Sequence, residues 1–439
     1  MDKKYDIAVI GGGPGGYVAA IRAAQLGAKV ALIEKDKLGG TCLNRGCIPT
    51  KALLACANLY NKFQKAGSYG ISAQNVTIDL KKVIERKDRI VEKLVKGVEL
   101  LLKKNDIEII HGEGKILGAG NVEIKKAESG EQIVESRNII IATGSSPVSL
   151  PGISFDGKKI LSSDDILSST EIPKKMDVVG GGVIGLHFAF MYAVLGTEVT
   201  IYEALPEILP GIDEEVIAYV KRLLSRKGIK INTNARFAPE LSSGKTLICV
   251  GRKPNTLGFE TLGLKPEVNE KMETNIKRIY AVGDLVSKKM FAHVAFEQGI
   301  VAAENAMGGK STFDYSCAPY TIYTDPEIAS VGLTEQDCMT AGLQDPKIGK
   351  FPFAALGIAQ AMGEAEGFIK VITDNNDKIF GVHIVGPEAN TIIGSAVICV
   401  KNGLKVDQLA KTIQAHPSYP EGLQEAALSA LKRSIHSFN

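Results

Sequence analysis

The stretch Asp6-Ile7-Ala8-Val9-Ile10-Gly11-Gly12-Gly13-Pro14-Gly15-Gly16 decides the fold. An apolar strand runs into a glycine turn, and a helical pattern follows from Tyr17 to about Gln25, where Gly27 stops it. A second strand, Lys29 to Ile33, ends at Glu34. Strand, glycine turn, helix and acid-terminated strand, in that order, are the signature of a dinucleotide-binding βαβ unit. Gly11 permits the tight turn, Gly13 lets the backbone approach a pyrophosphate, and Gly16 lets helix and strand pack closely. The free N–H groups at the helix start face the phosphates, and Glu34 is placed to accept from ribose hydroxyls.

The same unit returns with every landmark shifted by 169 residues: Gly11 to Gly180, Gly13 to Gly182, Gly16 to Gly185, Gly27 to Gly196 and Glu34 to Glu203. One glycine turn alone is a weak signal. Two complete copies at one offset, each closed by an acid, predict two bound dinucleotides. An acid at Glu203 favours NAD over NADP, because a 2′-phosphate would meet a negative charge; Lys221 and Arg222 lie well downstream.

Close behind the first unit lies Gly39-Gly40-Thr41-Cys42-Leu43-Asn44-Arg45-Gly46-Cys47-Ile48-Pro49-Thr50-Lys51. On an ideal helix five residues advance about 7.5 Å, whereas the Cα atoms of a disulfide stand roughly 4.4–6.8 Å apart. A Cys42–Cys47 bridge therefore needs a distorted turn, and a strained bridge is easier to reduce. Two unrelated core cysteines or a metal pair are the other readings of this spacing. Metal pairs usually stand closer, as C-x2-C, and no second His/Cys pair waits at suitable spacing, so no metal is expected.

The chain has 439 residues, enough for about three domains, and a net charge of +3, too small to imply nucleic acid or an anionic membrane as partner. No apolar run approaches the ~18 residues of a membrane span. Met1 to Tyr5 runs straight into a strand without signal-peptide form. The seven cysteines fit a reducing compartment, and the expected location is the cytoplasm. Cys249, Cys338 and Cys399 read as buried thiols and Cys56 as packing, while Cys317 has no assigned role.

Between the units, Ile48 to about Leu102 reads as long helices with solvated basic faces at Lys81, Lys82, Arg86, Lys87 and Arg89. Strands follow near Glu108–His111, Val122–Ile124 and Asn138–Ile141. After Glu203, only a short polar segment (239–245) separates Phe237 from the strand Thr246–Val250, which Gly251 closes. Ile279–Leu285 is a strand ending at Asp284, followed by a helix over 292–306. The last third predicts an antiparallel sheet, two helices, and the loop Gln414-Ala415-His416-Pro417-Ser418-Tyr419-Pro420-Glu421, where two prolines forbid a regular helix. His416, with Glu421 nearby to set its tautomer, is a candidate base.

In this combination the chain resembles the pyridine nucleotide–disulfide oxidoreductases, and within them the dihydrolipoamide dehydrogenases. The motifs that carry the resemblance are Gly39–Lys51, Ala142-Thr143-Gly144, Ala281-Val282-Gly283-Asp284 with Ala292-His293, Tyr323–Glu327 and His416–Glu421. It implies two Rossmann-like α/β domains, for FAD and NAD, and a C-terminal α+β dimerisation domain. The implied bounds are 1–147 and 271–312 for the two parts of the FAD domain, 148–270 for a shortened NAD domain and 313–439 for the interface domain. It implies that Glu34, Gly40, Thr41, Gly114, Thr143, Gly144, Ser145, Asp284, Ala292 and His293 surround FAD and that Lys51 approaches the flavin. Cys47 would be the flavin-side thiolate and Cys42 the interchange thiol. His416, oriented by Glu421, would be the acid/base for the disulfide of a second subunit in a homodimer. The implied reaction oxidises dihydrolipoamide on a carrier protein of a 2-oxo acid dehydrogenase or glycine-cleavage type system. A reductase of another disulfide and a non-catalytic FAD-binding relative remain open alternatives.

Two departures from the family pattern stand out. His187 occupies a position where the family has a glutamate paired with the flavin-side lysine, so Lys51 is expected to lack an anionic partner. The segment between Asn234 and Thr246 is shorter than in the family.

Overall fold

The computed structural model describes residues 4–118, 120–126, 130–242, 244–256, 262–343 and 345–438; Met1 to Lys3, before the first strand, and Ser243 of the short polar segment lie outside them. The first unit is β1 (Lys4–Ile10), α1 (Pro14–Gln25) and β2 (Val30–Glu34), as the glycine spacing predicts. Three helices follow, α2 (Gly40–Arg45), α3 (Cys47–Gln64) and α4 (Leu80–Lys104). The basic residues of α4 are exposed except Lys87, which is buried and paired with Asp88, a correction to the solvated face expected there. Next come β3 (Glu108–His111), β4 (Glu113–Gly118), β5 (Asn121–Lys126), β6 (Gly130–Ile141) and β7 (Ser145–Pro147).

The second unit contains β8 (Ile160–Leu161), β9 (Lys175–Val179), α5 (Val183–Val194), β10 (Glu198–Tyr202), α6 (Glu214–Arg226), β11 (Lys230–Asn232), β12 (Lys245–Ile248) and β13 (Arg252–Pro254). Its sheet runs β11-β10-β9-β12-β8, wholly parallel. The first sheet has the matching parallel core β3-β2-β1-β6, extended by the antiparallel pair β5 and β4. Among the described residues the second unit passes from β11 to β12 without such a pair, which is the physical form of the short segment seen in the sequence.

The chain then returns to the first sheet. β14 (Ile279–Ala281) pairs in parallel with the end of β6, and α7 (Ala292–Ala306) lies against α1, where a Cβ on Gly299 would stand 2.5 Å from the Gly15 carbonyl. The last third is β15 (Tyr320–Ile322), β16 (Glu327–Gly332), α8 (Glu335–Thr340), β17 (Lys347–Pro352), α9 (Gly357–Ala361), β18 (Phe368–Thr373), β19 (Ile379–Gly386), α10 (Ala389–Lys401), α11 (Val406–Ala410) and α12 (Glu421–Ala430). Its antiparallel sheet, β15-β16-β19-β18-β17, carries α10 and α12 packed on it. β17 and α12 go beyond the strands and helices read from the sequence.

A buried charge cluster ties this last domain to the second unit. Lys370 of β18 is 1% exposed and donates to both oxygens of Asp213, the N-cap of α6, at 3.0 Å, and to Glu335 of α8 at 2.7 Å. Among the described residues no helix is long and apolar enough to cross a membrane.

Candidate active site

The two glycine turns superpose in their details. Gly11 and Gly180 have φ of +104° and +107°, a region open to glycine. A Cβ on Gly16 would sit 1.8 Å from the Gly11 carbonyl, and one on Gly185 2.0 Å from that of Gly180, so both helices meet their strands at distances only glycine permits. Gly13 and Gly182 cap α1 and α5 without a side chain, leaving the first-turn N–H groups available. The closing acids do more than wait for a ribose. Glu34 accepts the N–H groups of Gly12 at 2.6 Å and Asp36 at 2.7 Å. Glu203 accepts those of Gly181 at 2.7 Å and Leu205 at 2.9 Å. Each carboxylate thus ties the glycine turn to the end of its own second strand. Burial pushes the Glu34 carboxyl up, against the pull of these donors.

Between α2 and α3 the helix breaks at Gly46, with φ −144° and ψ −113°. A Cβ there would come within 2.9 Å of the Thr41 carbonyl and 3.2 Å of the Cys42 Cα. This break supplies the distorted turn that a bridge at this spacing needs, and it brings Cys42 and Cys47 together as free, hydrogen-bonded thiols. Donation by Cys42, helped by the Lys51 ammonium and opposed by burial, brings the Cys47 thiol down to about 7, while the Cys42 thiol is driven far up.

Lys51 lies one turn further along α3. Its burial lowers its pKa, and its ammonium rests 4.5 Å over the ring of Tyr323, at the end of β15. His187 on α5 is 2% exposed, and its Nε2 accepts the Tyr323 N–H at 2.8 Å. Burial and the nearby Lys51 hold this imidazole neutral. The histidine therefore does accept a hydrogen bond, but from the Tyr323 backbone.

These groups line one cleft of about 2300 Å³. Around it stand Gly11, Gly13, Glu34, Gly40, Thr41, Cys42, Cys47, Lys51, Gly114, Thr143, Gly144, Ser145, Asp284, Ala292 and His293, together with Gly180, Gly182, Glu203 and Gly251 of the second unit. Gly16 and Gly185 are spent on helix–strand packing instead. With open helix starts, acid-closed turns and this volume, the residues present fit two dinucleotides.

Sequence reasoning did not find the clamp between the two halves. Arg252 donates to the Ser145 hydroxyl at 2.7 Å and carbonyl at 2.8 Å, and Ser145 donates to Asp284 at 2.6 Å. Asn255 donates to the Thr143 carbonyl at 2.9 Å, and the Thr143 hydroxyl donates back to the Asn255 carbonyl at 2.8 Å. The only trace in the sequence is the polar run Gly251–Asn255 directly after a buried strand. His293 is spent on the Pro319 carbonyl, 2.9 Å from its Nε2.

His416 and Glu421 are brought together, but away from this cleft. The His416 side chain is 79% exposed, with Nδ1 2.7 Å from Glu421. Glu421 also accepts the Ser418 N–H at 2.6 Å, and although burial raises its pKa these donors outweigh it and hold the carboxyl low. Glu421 is not on the loop, as the sequence suggested; it is the first residue of α12, immediately after Pro420.

Comparison with known proteins bears on this geometry. Residues 5–299 match the pyridine nucleotide-disulphide oxidoreductase family, and residues 318–427 match the dimerisation domain of the same family. A dihydrolipoyl dehydrogenase of Bacillus subtilis is 39% identical over 99% of this chain and all of that protein. The alignment runs over 474 positions, so that relative carries residues this chain lacks. A second, from Geobacillus stearothermophilus, is 42% identical over 98% of this chain and 96% of its own. Among solved structures, LpdA of Mycobacterium tuberculosis superposes with a TM-score of 0.90, at 26% identity, over 97% of this chain and 99% of that one. With its two glycine turns, its paired thiols and these full-length matches, the chain belongs to the pyridine nucleotide-disulphide oxidoreductase family.

Proposed function

We propose that the protein oxidises dihydrolipoamide to lipoamide through Cys42 and Cys47, using FAD and NAD, and that it works as a homodimer. The observation that supports this most is the thiol pair beside Lys51 in the same cleft as both glycine turns. Gly11, Gly13 and Glu34 hold FAD, with Asp284 and Ser145 at its flavin side. Gly180, Gly182 and Glu203 hold NAD.

His416 of the second copy in the dimer removes a proton from one thiol of the substrate, its Nδ1 fixed on Glu421 so that Nε2 is the basic nitrogen. The substrate thiolate attacks the Cys42 sulfur of the Cys42–Cys47 disulfide, and Cys47 leaves as a thiolate. The second substrate thiol then attacks the lipoyl sulfur of the mixed disulfide. The lipoyl ring closes and Cys42 leaves, taking back a proton. Lys51 and the Cys42 thiol hold the Cys47 thiolate at neutral pH. FAD, held by Gly11, Gly13 and Glu34, would supply the two-electron acceptor that lets the Cys42–Cys47 disulfide re-form with loss of the Cys42 proton, and NAD, held by Gly180, Gly182 and Glu203, would supply the final hydride acceptor.

The natural substrate in this reading is a lipoyl group on a carrier protein of a 2-oxo acid dehydrogenase or glycine-cleavage type system, and the working location is the cytoplasm. Assay of the FAD-loaded protein with free dihydrolipoamide is expected to give NADH with NAD and far less NADPH with NADP, since Glu203 repels a 2′-phosphate. NADH-driven reduction of another disulfide, without turnover of dihydrolipoamide, would move the protein to a different substrate class.

A further inference from the structure

Lys51 presents a charge-balance problem. Its ammonium is half-buried and desolvated, yet among the described residues it pairs with no carboxylate, and the ionisable groups that favour its charge are Cys47 and Cys42 alone. A buried cation normally requires a counter-charge. The element across from it, α5, offers the neutral imidazole of His187, whose acceptor nitrogen is already committed to the Tyr323 N–H at 2.8 Å. What Lys51 does receive is the face of the Tyr323 ring at 4.5 Å. An aromatic face steadies a cation without neutralising it. His187 and Tyr323 are themselves in ring contact, with centroids 6.3 Å apart.

We propose that His187 is a positioning residue: by accepting the Tyr323 amide it holds the Tyr323 ring as an uncharged seat for Lys51, leaving the Cys47 thiolate as the partner that neutralises this cation. A carboxylate at position 187 would compete for Lys51, whereas the imidazole cannot. The reduced state of the site, in which Cys47 carries its charge, is thereby favoured. The other charged groups facing Cys47 do not alter the direction. Cys42 donates to it from α2, Asp284 in the turn after β14 opposes the thiolate, and Tyr323 faces it from the end of β15. The inference rests on Cys47 being the thiolate-bearing residue of the proposed reaction.

The test titrates Cys47 in the FAD-loaded Cys42→Ser protein, where serine keeps a donor next to Cys47. Two readouts are followed against pH: the rate of iodoacetamide alkylation at the Cys47 peptide by mass spectrometry, and the long-wavelength thiolate-to-flavin band. His187→Glu is expected to raise the alkylation midpoint by about 1 pH unit or more. His187→Gln, whose amide oxygen can take the Tyr323 N–H, is expected to stay within about 0.3 unit of the parent. In a Lys51→Met background the effect of His187→Glu is expected to disappear, because it acts through the lysine.

Tyr323→Leu leaves position 187 untouched and removes the seat, so it too is expected to raise the midpoint, while Tyr323→Phe keeps it. An unchanged midpoint in His187→Glu or in Tyr323→Leu overturns the proposal. So does a His187→Glu shift that persists without Lys51. Absence of the long-wavelength band in the parent, with normal alkylation behaviour, would instead count against Cys47 as the flavin-side thiol, and the alkylation midpoints would still decide the role of His187.

Discussion

Cys47→Ser protein and His416→Gln protein are each expected to be inactive with dihydrolipoamide and NAD, and to regain activity when their subunits are exchanged. Serine cannot replace the thiolate that holds the electron pair, and loss of a positioned base costs on the order of 10²–10⁴ in rate. Recovery follows from where His416 stands. It is exposed, fixed to Glu421 at the start of α12, and absent from the lining of the cleft in its own chain. In the proposed reaction it serves, within a homodimer, the thiols of the second copy. A mixed dimer then holds one site with both defects and one with neither, so about half the activity of the unaltered dimer returns to each mixed dimer, and about a quarter to a random mixture. The check is a steady-state assay after co-expression of two differently tagged chains and purification of the mixed species. If His416 instead served its own chain, both sites of the mixed dimer would be defective and nothing would return.

Lys370→Met is expected to destabilise the protein by about 3–5 kcal/mol, the usual cost of leaving a buried carboxylate without its partner. Asp213 is fully buried and receives two hydrogen bonds from Lys370, and Glu335 receives a third. Methionine fills the volume but leaves the two carboxylates facing each other. The cluster joins β18 of the last domain to the N-terminus of α6 in the second unit, so the loss loosens the NAD half from the interface domain. Thermal denaturation of the FAD-loaded protein reads the effect. Adding Asp213→Asn, which removes the stranded charge, is expected to recover part of the loss. An unchanged midpoint for Lys370→Met would show that the carboxylates find other partners or water.

Much of the site was legible because it depends on backbone geometry at short range. Gly11, Gly16, Gly180 and Gly185 stand where a Cβ would strike a carbonyl, and no other residue can write those turns, so their spacing alone located both nucleotide units. The Cys42–Cys47 spacing foretold a break in the helix, and Gly46 supplies it. The short passage from β11 to β12 was likewise visible as missing chain.

What was not legible is carried by side chains far apart in sequence. Nothing near Lys370 points to Asp213, 157 residues away, and nothing near Lys51 points to Tyr323. The Thr143–Asn255 clamp likewise spans 112 residues. Glu421 was misplaced for a local reason. The two prolines correctly exclude a helix through 417–420, but a proline is also a favourable start for one, and α12 begins at the next residue. His187 was conspicuous as a departure, but its partner was not, because a backbone N–H leaves no mark in a sequence.

The most direct test of the whole scheme is an anaerobic absorbance titration of the FAD-loaded protein with dihydrolipoamide, followed by NAD. The expected result is a long-wavelength band as Cys47 becomes a thiolate beside the flavin, which then fades as NADH appears in equal amount. A band that forms and persists on NAD addition would contradict hydride delivery through the shortened second unit. Absence of any band would contradict dihydrolipoamide as the donor to Cys42 and Cys47.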